Sequence, residues 1–298
     1  MEFYSHGKLL LTAEYAVLEG VKALAVPTKR GQFLRVEHTT EGTIKWQSFT
    51  VEGKLWIDCI FDLKLNCLSS REGSSSVIEQ LSVILKTLNR LSPNFFADGI
   101  ALSTQLEFPL DWGLGSSSTL INNLAQWVGI NPYLLLEETM GGSGYDIAAA
   151  QSETALFYRR NKFSPTIEAV LFSPPFKDKL FFVYLKEKQN SREAIAGFNE
   201  RNALNSTSKK RLEEIGTLLI NTKKQSNFNA LLKEHEDITA SFLGQISVQE
   251  RLFPDFKGQL KSLGAWGGDF ILASGDETTV NYFRQKGYPT IFRYADFI

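Results

Sequence analysis

A short stretch rich in glycine and serine, Gly113–Thr119, constrains the fold of this chain more than any other segment. A β-rich run at Gly99–Phe108 precedes it, and apolar residues at helical spacing follow it from Leu120 to Val128. We therefore predict a strand, a tight turn and a helix over about 117–128. Glycine permits unusual backbone angles, and the first N–H groups of a helix lack internal partners. These residues alone fit a polyphosphate site and a serine-capped turn equally well.

The composition narrows the class of protein. The 298 residues are 43% hydrophobic, which is enough for a large core in one large or two medium domains. A formal charge of -1 lacks the basic excess of nucleic-acid-binding proteins, and the absence of 18 consecutive apolar residues predicts no membrane span. Cys59, Cys67 and three histidines offer little for a disulfide framework or a zinc site. With no signal-peptide pattern at the start, we expect a cytoplasmic protein.

The pattern of predicted strands and helices changes near residue 165. Before it, short β-branched and aromatic runs are separated by glycines, which is the pattern of hairpins. After it come two strands, a group of helices and a closing β-α-β unit. We predict an α+β protein with an N-terminal lobe at 1–165 and a C-terminal lobe at 166–298. Outside the glycine–serine stretch, the principal helices are expected at 77–91, 132–139, 191–203, 207–224 and 226–243.

Three charged residues interrupt apolar segments. Lys8 follows a glycine on a predicted strand, where alternation would place it on the same face as Leu10. Glu14 interrupts the apolar run that follows. Asp146 is the only charged residue from 139 to 152 and begins an alanine-rich helix behind a loop with three glycines. Asp146 is therefore either a helix cap or a carboxylate that faces a cleft.

Four segments contain motif-like sequences in a fixed order: Gly7–Gly20, Gly113–Ser118, Ser143–Asp146 and Gly264–Gly268. The first is similar to a Pro-Gly-Lys strand followed by Gly-Glu-His/Tyr-Ala-Val, and the second to the phosphate loop Gly-Leu-Gly-Ser-Ser-Ala. The third is similar to Ser-Gly-x-Asp and the fourth to Gly-Ala-Gly-Gly-Gly. Together they resemble the GHMP kinases, the superfamily of galactokinase and of homoserine, mevalonate and phosphomevalonate kinases, and they are most similar to the mevalonate and phosphomevalonate branch.

The resemblance implies both a fold and an activity. The fold is the two-lobed GHMP kinase fold, with an N-terminal lobe like ribosomal protein S5 domain 2 and a ferredoxin-like C-terminal lobe. The activity is transfer of the γ-phosphate of ATP, with Mg2+, to an alcohol or phosphate acceptor. Mevalonate is the first candidate for the acceptor and phosphomevalonate the second. A sugar or homoserine is the third. We expect a small-molecule substrate. We expect neither a nucleic acid nor a membrane as partner. A homodimer is one possible oligomeric state.

The resemblance also implies the nucleotide-binding residues. Ser116 would donate a hydrogen bond to a phosphate, and Ser117 would be a ligand of Mg2+. In related kinases a glutamate completes the metal site. In this chain that glutamate is Glu137, Glu138 or neither, and Glu138 is the candidate that we name. The residues that would surround the ATP phosphates are Gly113, Leu114, Gly115, Ser116, Ser117 and Ser118.

Two further residues would act on the acceptor. Asp146 would accept the proton of the acceptor hydroxyl as general base. Lys8 would lie near Asp146 and favour both its carboxylate and the developing alkoxide. The chain lacks the Gly-x4-Gly-Lys-Ser/Thr loop of P-loop enzymes, so that class does not compete.

The sequence departs from the family pattern at several positions. His6 stands in place of proline, and Trp112 stands where a small residue is usual. Trp266 and Asp269 replace expected glycines, so an indole would crowd the cleft and a carboxylate would lie near phosphates. A second hypothesis is therefore a catalytically impaired or regulatory ligand-binding protein on the same fold. A third is a structural relative in which Lys8 and Asp146 form a buried ion pair.

Overall fold

The computed structural model describes residues 1–93, 95–96, 98–187, 204–264, 266 and 269–298. The predicted helix at 191–203 lies outside these residues, as do Ala265, Gly267 and Gly268 of the fourth motif. The strands are β1 Glu2–Leu10, β2 Ala23–Thr39, β3 Ile44–Phe49, β4 Leu55–Phe61, β5 Cys67–Glu72, β6 Gly99–Leu106, β7 Leu156–Arg159, β8 Thr166–Ala169, β9 Leu180–Tyr184, β10 Gln259–Ser262, β11 Phe270–Ser274 and β12 Ile291–Arg293. The α-helices are α1 Ser75–Leu91, α2 Ser116–Val128, α3 Pro132–Thr139, α4 Tyr145–Ala150, α5 Ser206–Asn221, α6 Gln225–Leu243, α7 Val248–Leu252, α8 Thr279–Gln285 and α9 Tyr294–Phe297.

The chain forms two compact units that are interleaved in sequence. Strands β1 and β2 each pass from one unit into the other. The expected lobes at 1–165 and 166–298 remain a prediction. Unit 1 contains Met1–Gly7, Arg30–Leu110 and Gly115–Gln151, and unit 2 contains Lys8–Lys29, Asp111–Leu114 and Ser152–Ile298.

Unit 1 consists of a sheet and three principal helices around one core. Its strands follow the order β5-β4-β3-β6-β2, in which β3 and β6 are parallel and the other pairs antiparallel. Helix α1 buries Leu81, Leu85 and Leu88, three residues of the apolar stripe predicted from the sequence. They share a core with the fully buried Trp46 of the sheet. At about 1.5–3 kcal/mol for each buried large apolar side chain, this burial fixes the helix on the sheet.

Unit 2 contains a four-stranded antiparallel sheet in the order β10-β11-β9-β12. In chain order these are the second, third, first and fourth strands of the sheet. Helices lie between the first and second strands and between the third and fourth, which confirms the expected ferredoxin-like β-α-β-β-α-β arrangement. The beginning of β2 pairs with β7, and β7 pairs with β8. Phe181, Phe253 and Phe283 lie in the principal core of this unit.

Several local predictions need correction. Glycines were expected to break the chain at Gly7 and Gly31, yet β1 and β2 continue through both. A Cβ on Gly31 would lie 2.1 Å from the carbonyl oxygen of Ser5, so this glycine allows a close approach of backbones within a sheet. The serine-rich segment before α1 has the polar composition that predicts a loop, but it contains strand β5, all of whose residues are exposed.

Other features agree with the composition. Cys59 is buried and Cys67 exposed, and both are free thiols. Within the described ranges, no helix combines the length and apolar character that crossing a membrane would need.

Candidate active site

The first half of the glycine–serine loop, 111–114, belongs to unit 2 and is anchored there by a tryptophan. Trp112 is 9% exposed, and the Tyr184 hydroxyl donates a hydrogen bond of 2.8 Å to Asp111. These contacts give the unexpected indole a structural role, because it fixes the loop to the C-terminal sheet. The rings around the indole, at centroid distances of 5.3 to 6.5 Å, are Tyr184, Phe270, Phe292 and Phe297.

Gly113 lies directly against the carboxylate of Asp269. Its φ is +65°, and a Cβ there would lie 2.0 Å from Oδ2 of Asp269. Only glycine fits at this point without a shift of the loop or of the carboxylate. The carboxylate of Asp269 thus lies at the first glycine of the loop within unit 2, and its expected proximity to bound phosphates stays a prediction.

The second half of the loop begins helix α2 in unit 1. Gly115 is the N-cap with a φ of +88°, and no side chain caps the helix. The first intrahelical hydrogen bond runs from Thr119 N to Gly115 O, so the amides of residues 116–118 point out of the helix end. Ser116 is half-buried and Ser117 exposed, and neither hydroxyl hydrogen-bonds to a residue in the described part of the chain. This arrangement can accept an anion.

Asp146 lies in the first turn of α4, after the N-cap Gly144. Its Oδ2 accepts a hydrogen bond from the hydroxyl of Ser118, and its Oδ1 accepts one of 3.2 Å from Ile147 N. The structure thus joins two predicted site residues, Ser118 and Asp146, inside unit 1. Burial, and secondarily the charge of Asp146, raise the pKa of Tyr133 above its usual range.

Lys8 supports the other half of the loop in unit 2. Its backbone N donates to Leu114 O at 3.0 Å, and its Nζ donates to Gly113 O at 2.9 Å. Lys8 and Asp146 belong to different units, so their expected proximity stays a prediction. These contacts within unit 2 show that Lys8 fixes the path of the glycine–serine loop at Gly113 and Leu114.

Glu138 forms an ion pair with Arg90, between α3 and α1. Within the described residues, its carboxylate forms no hydrogen bond with Ser117 or Asp146. Across the same part of the chain, no three His, Cys, Asp or Glu side chains converge to hold a metal ion. The choice of Glu138 as metal ligand remains untested, but its carboxylate already has a cationic partner.

Glu14 of the first motif lies in a buried charged cluster of unit 2 that we did not predict. Lys261 Nζ forms an ion pair with Glu14 Oε1 and a second one, of 3.1 Å, with Glu236 Oε1. Ser262 Oγ donates to Glu236 Oε2 at 2.8 Å. Glu14 and Lys261 are essentially inaccessible to solvent, and 247 residues separate them. The sequence contained one signal for this cluster, a lysine three residues before the fourth motif.

Two carboxyl groups share one cation in this cluster. Burial raises the pKa of Glu14 to about 7, against the lowering effect of Lys261. Burial lowers the pKa of Lys261, but Glu14 and Glu236 outweigh it and raise that pKa overall. His235 Nε2 accepts a hydrogen bond of 2.9 Å from Ala13 N, and burial depresses its pKa, so this ring is neutral. A proton on Glu14 therefore balances the charge of the cluster below about pH 7.

Trp266 faces the interior of unit 2. The side chain is 4% exposed and packs with Leu243, and its indole N–H donates to Glu236 Oε1 at 3.1 Å. Its φ of +55° keeps the left-handed backbone that glycine would favour. The indole that was expected to crowd a cleft is thus part of the core beside the charged cluster.

Comparison with known structures places this fold in one class. The chain is similar to a mevalonate kinase from Methanococcus jannaschii, at 15% identity and a TM-score of 0.69, over 98% of this chain and 96% of that one. It is similar to Streptococcus pneumoniae phosphomevalonate kinase in complex with phosphomevalonate and AMPPNP, at 16% and 0.68, over 99% and 96%. It is also similar to Lactococcus lactis galactokinase complexed with galactose, at 13% and 0.69, over 98% and 92%.

No protein-family model and no curated protein matches the sequence. The structural likeness covers nearly the whole chain and establishes the fold. The chain has the α+β, two-lobed fold of the GHMP kinases, as its motifs predicted.

Proposed function

We propose that this protein is an ATP- and Mg2+-dependent small-molecule kinase of the GHMP type, acting on mevalonate or, second, on phosphomevalonate. The carrying observation is the uncapped start of α2, with the Ser116 and Ser117 hydroxyls uncommitted and Asp146 one hydrogen bond from Ser118. A sugar remains a third acceptor class, because a galactokinase shares the fold equally well. The free thiols are consistent with a cytoplasmic location for this activity.

Each group near α2 has a defined role in the proposed reaction. The amides of residues 116–118 and the Ser116 hydroxyl hold phosphate oxygens. The acceptor oxygen forms a bond to the γ-phosphorus, the bond to the bridging oxygen breaks, ADP leaves, and Asp146 takes the acceptor proton. Lys8 keeps Gly113 and Leu114 in place in unit 2.

The residues present fit a magnesium ion. Mg2+ prefers oxygen ligands and is usually bound by one or two carboxylates together with substrate phosphates. Ser117 offers an exposed hydroxyl that is not hydrogen-bonded to any described residue, and the phosphates of bound ATP would supply the anionic oxygens. When bound, the ion neutralises charge on the transferred phosphoryl group.

ADP release against a panel of mevalonate, phosphomevalonate, galactose and homoserine tests the proposal. We expect turnover with one of the first two, and a loss on the order of 10^2-fold or more in Asp146→Asn. Asp98→Asn is a matched control, because Asp98 is an exposed carboxylate of the same unit. Full turnover in Asp146→Asn would refute the assignment of the base.

One observation favours the second candidate, a catalytically impaired or regulatory ligand-binding protein. The carboxylate of Asp269 lies against Gly113, and Asp111 adds another charge to the same half of the loop. Negative charge at this position opposes polyphosphate binding. Calorimetry with Mg2+ and ATP, combined with the acceptor panel, separates the candidates. Tight binding without acceptor-dependent ADP release would support the regulatory protein.

A further inference from the structure

The third serine of the loop differs from the other two in its surroundings. Ser118 is 6% exposed, whereas Ser117, the residue before it on α2, is exposed. The Ser118 hydroxyl reaches Oδ2 of Asp146, and α2 packs on α4 in unit 1. An ionised carboxylate can only accept hydrogen bonds, so the serine is the donor. Its single hydroxyl proton is therefore committed to Asp146 and is not free for a phosphate oxygen.

Few other groups orient this carboxylate. The second hydrogen bond to Asp146 comes from the backbone N of the next residue, Ile147, at 3.2 Å. Within the described residues, Asp146 makes no ion pair and accepts no hydrogen bond from another side chain. The buried Tyr133 hydroxyl, whose pKa the charge of Asp146 affects, has no hydrogen-bond partner in the same part of the chain. Ser118 is thus the side chain that fixes the rotation of the carboxylate.

The hydrogen bond between Ser118 and Asp146 depends on a residue at which this chain departs from the pattern that it resembles. The phosphate-loop pattern that the chain resembles ends in Ser-Ser-Ala, and Ser118 occupies the place of the alanine. An alanine here would fit the start of α2 and supply no donor. The hydroxyl is therefore an addition to the loop, directed at the base of the proposed reaction.

We propose that Ser118 is a positioning residue that holds the Asp146 carboxylate for proton abstraction and does not bind phosphate through its side chain. This inference rests on the proposed kinase function. A general base must direct a lone pair at the acceptor hydroxyl, and each carboxylate oxygen keeps one after its described hydrogen bond. The hydrogen bond from Ser118 fixes one oxygen, which limits rotation of the group and holds the other oxygen in place.

The test compares Ser118→Ala with Ser117→Ala, two hydroxyl deletions on adjacent residues of one helix. We expect Ser118→Ala to lower kcat about 10-fold, the change that about 1.4 kcal/mol in the barrier produces, with KM for ATP unchanged. Ser117→Ala should instead raise KM for ATP at limiting Mg2+. Ser118→Thr, which keeps a hydroxyl, should recover most of the loss. Thermal melting of every variant confirms that each is folded.

A double-mutant cycle identifies the residue through which Ser118 acts. In an Asp146→Asn background, Ser118→Ala should cause no further loss, because the group that it orients is gone. A full additional loss there, or a higher Kd for Mg2+-ATP in Ser118→Ala by calorimetry, would overturn the proposal. Wild-type protein that is inactive on every acceptor would overturn the proposed function itself, which is a different outcome from an active enzyme that tolerates Ser118→Ala.

Discussion

Replacing Gly113 by alanine would place a methyl group where the Asp269 carboxylate already lies. An ideal Cβ would be 2.0 Å from Oδ2 of Asp269, 2.3 Å from its Cγ and 2.9 Å from its Cβ. Gly113 also has a φ of +65°, in the left-handed region that residues with a Cβ rarely adopt. The substitution therefore adds backbone strain and a steric clash at once.

The two costs can be estimated separately. The left-handed conformation costs about 1–2 kcal/mol for a residue other than glycine. Overpacking adds about 1–3 kcal/mol, because Asp269 is only 8% exposed and cannot rotate freely into solvent. We expect Gly113→Ala to lower the free energy of unfolding of unit 2 by about 3 kcal/mol.

Urea unfolding followed by tryptophan fluorescence measures this loss. Gly244→Ala is the matched control, because Gly244 is in the same unit, has a φ of +62° and has no heavy atom within 4 Å of an ideal Cβ. It should cost about 1 kcal/mol, the strain alone. Adding Asp269→Ala to Gly113→Ala removes the contacts at 2.0 and 2.3 Å and leaves only the one at 2.9 Å, so it should recover most of the difference. Equal losses in Gly113→Ala and Gly244→Ala would refute the reasoning.

Two further predictions concern the buried charged cluster. Lys261→Met leaves Glu14 and Glu236 without their shared cation and should lower the free energy of unfolding by about 3–5 kcal/mol in urea titrations. The control Lys45→Met breaks an exposed ion pair with Glu41 and should lower it by less than about 1 kcal/mol. Similar losses in the two variants would contradict this prediction. Because Glu14 keeps its proton to about pH 7 in the folded chain and loses it near 4.5 when unfolded, the free energy of unfolding should fall as pH rises from 4.5 to about 7. Glu14→Gln should remove this decrease in urea titrations, and an unchanged slope would contradict the assignment.

Local signals were enough to predict much of the fold. The apolar spacing of α1 and α2 and the Asn131-Pro132 start of α3 predict helices that the structure contains, and Asn131 does cap the amide of Tyr133. These features depend on neighbours a few residues away, which a sequence displays directly. The start of α2 after the glycine–serine turn could be predicted for the same reason.

Contacts between residues that are distant in sequence could not be predicted from such local signals. Glu14 interrupts an apolar run, but nothing near it in sequence identifies Lys261 as its partner. The sequence pattern predicts a turn at Gly31. A glycine that marks a turn cannot be distinguished, from sequence, from a glycine that allows a neighbouring backbone to approach closely. Strand β10 was missed, since a buried lysine in it resembles a solvated residue until its two carboxylates are known.

The interleaving of the two units has a consequence for synthesis on the ribosome. Residues 8–29 emerge well before their partners in unit 2, such as β7 for β2 and Lys261 for Glu14. Unit 1 is complete once residue 151 has appeared, whereas unit 2 waits for the final strand and helix. The segment that carries Lys8 and Glu14 therefore spends most of translation without its partners from the second half of the chain, and Glu14 waits for Lys261. Its capture, which closes loops of more than 100 residues, is expected to be the slow and aggregation-prone stage of folding.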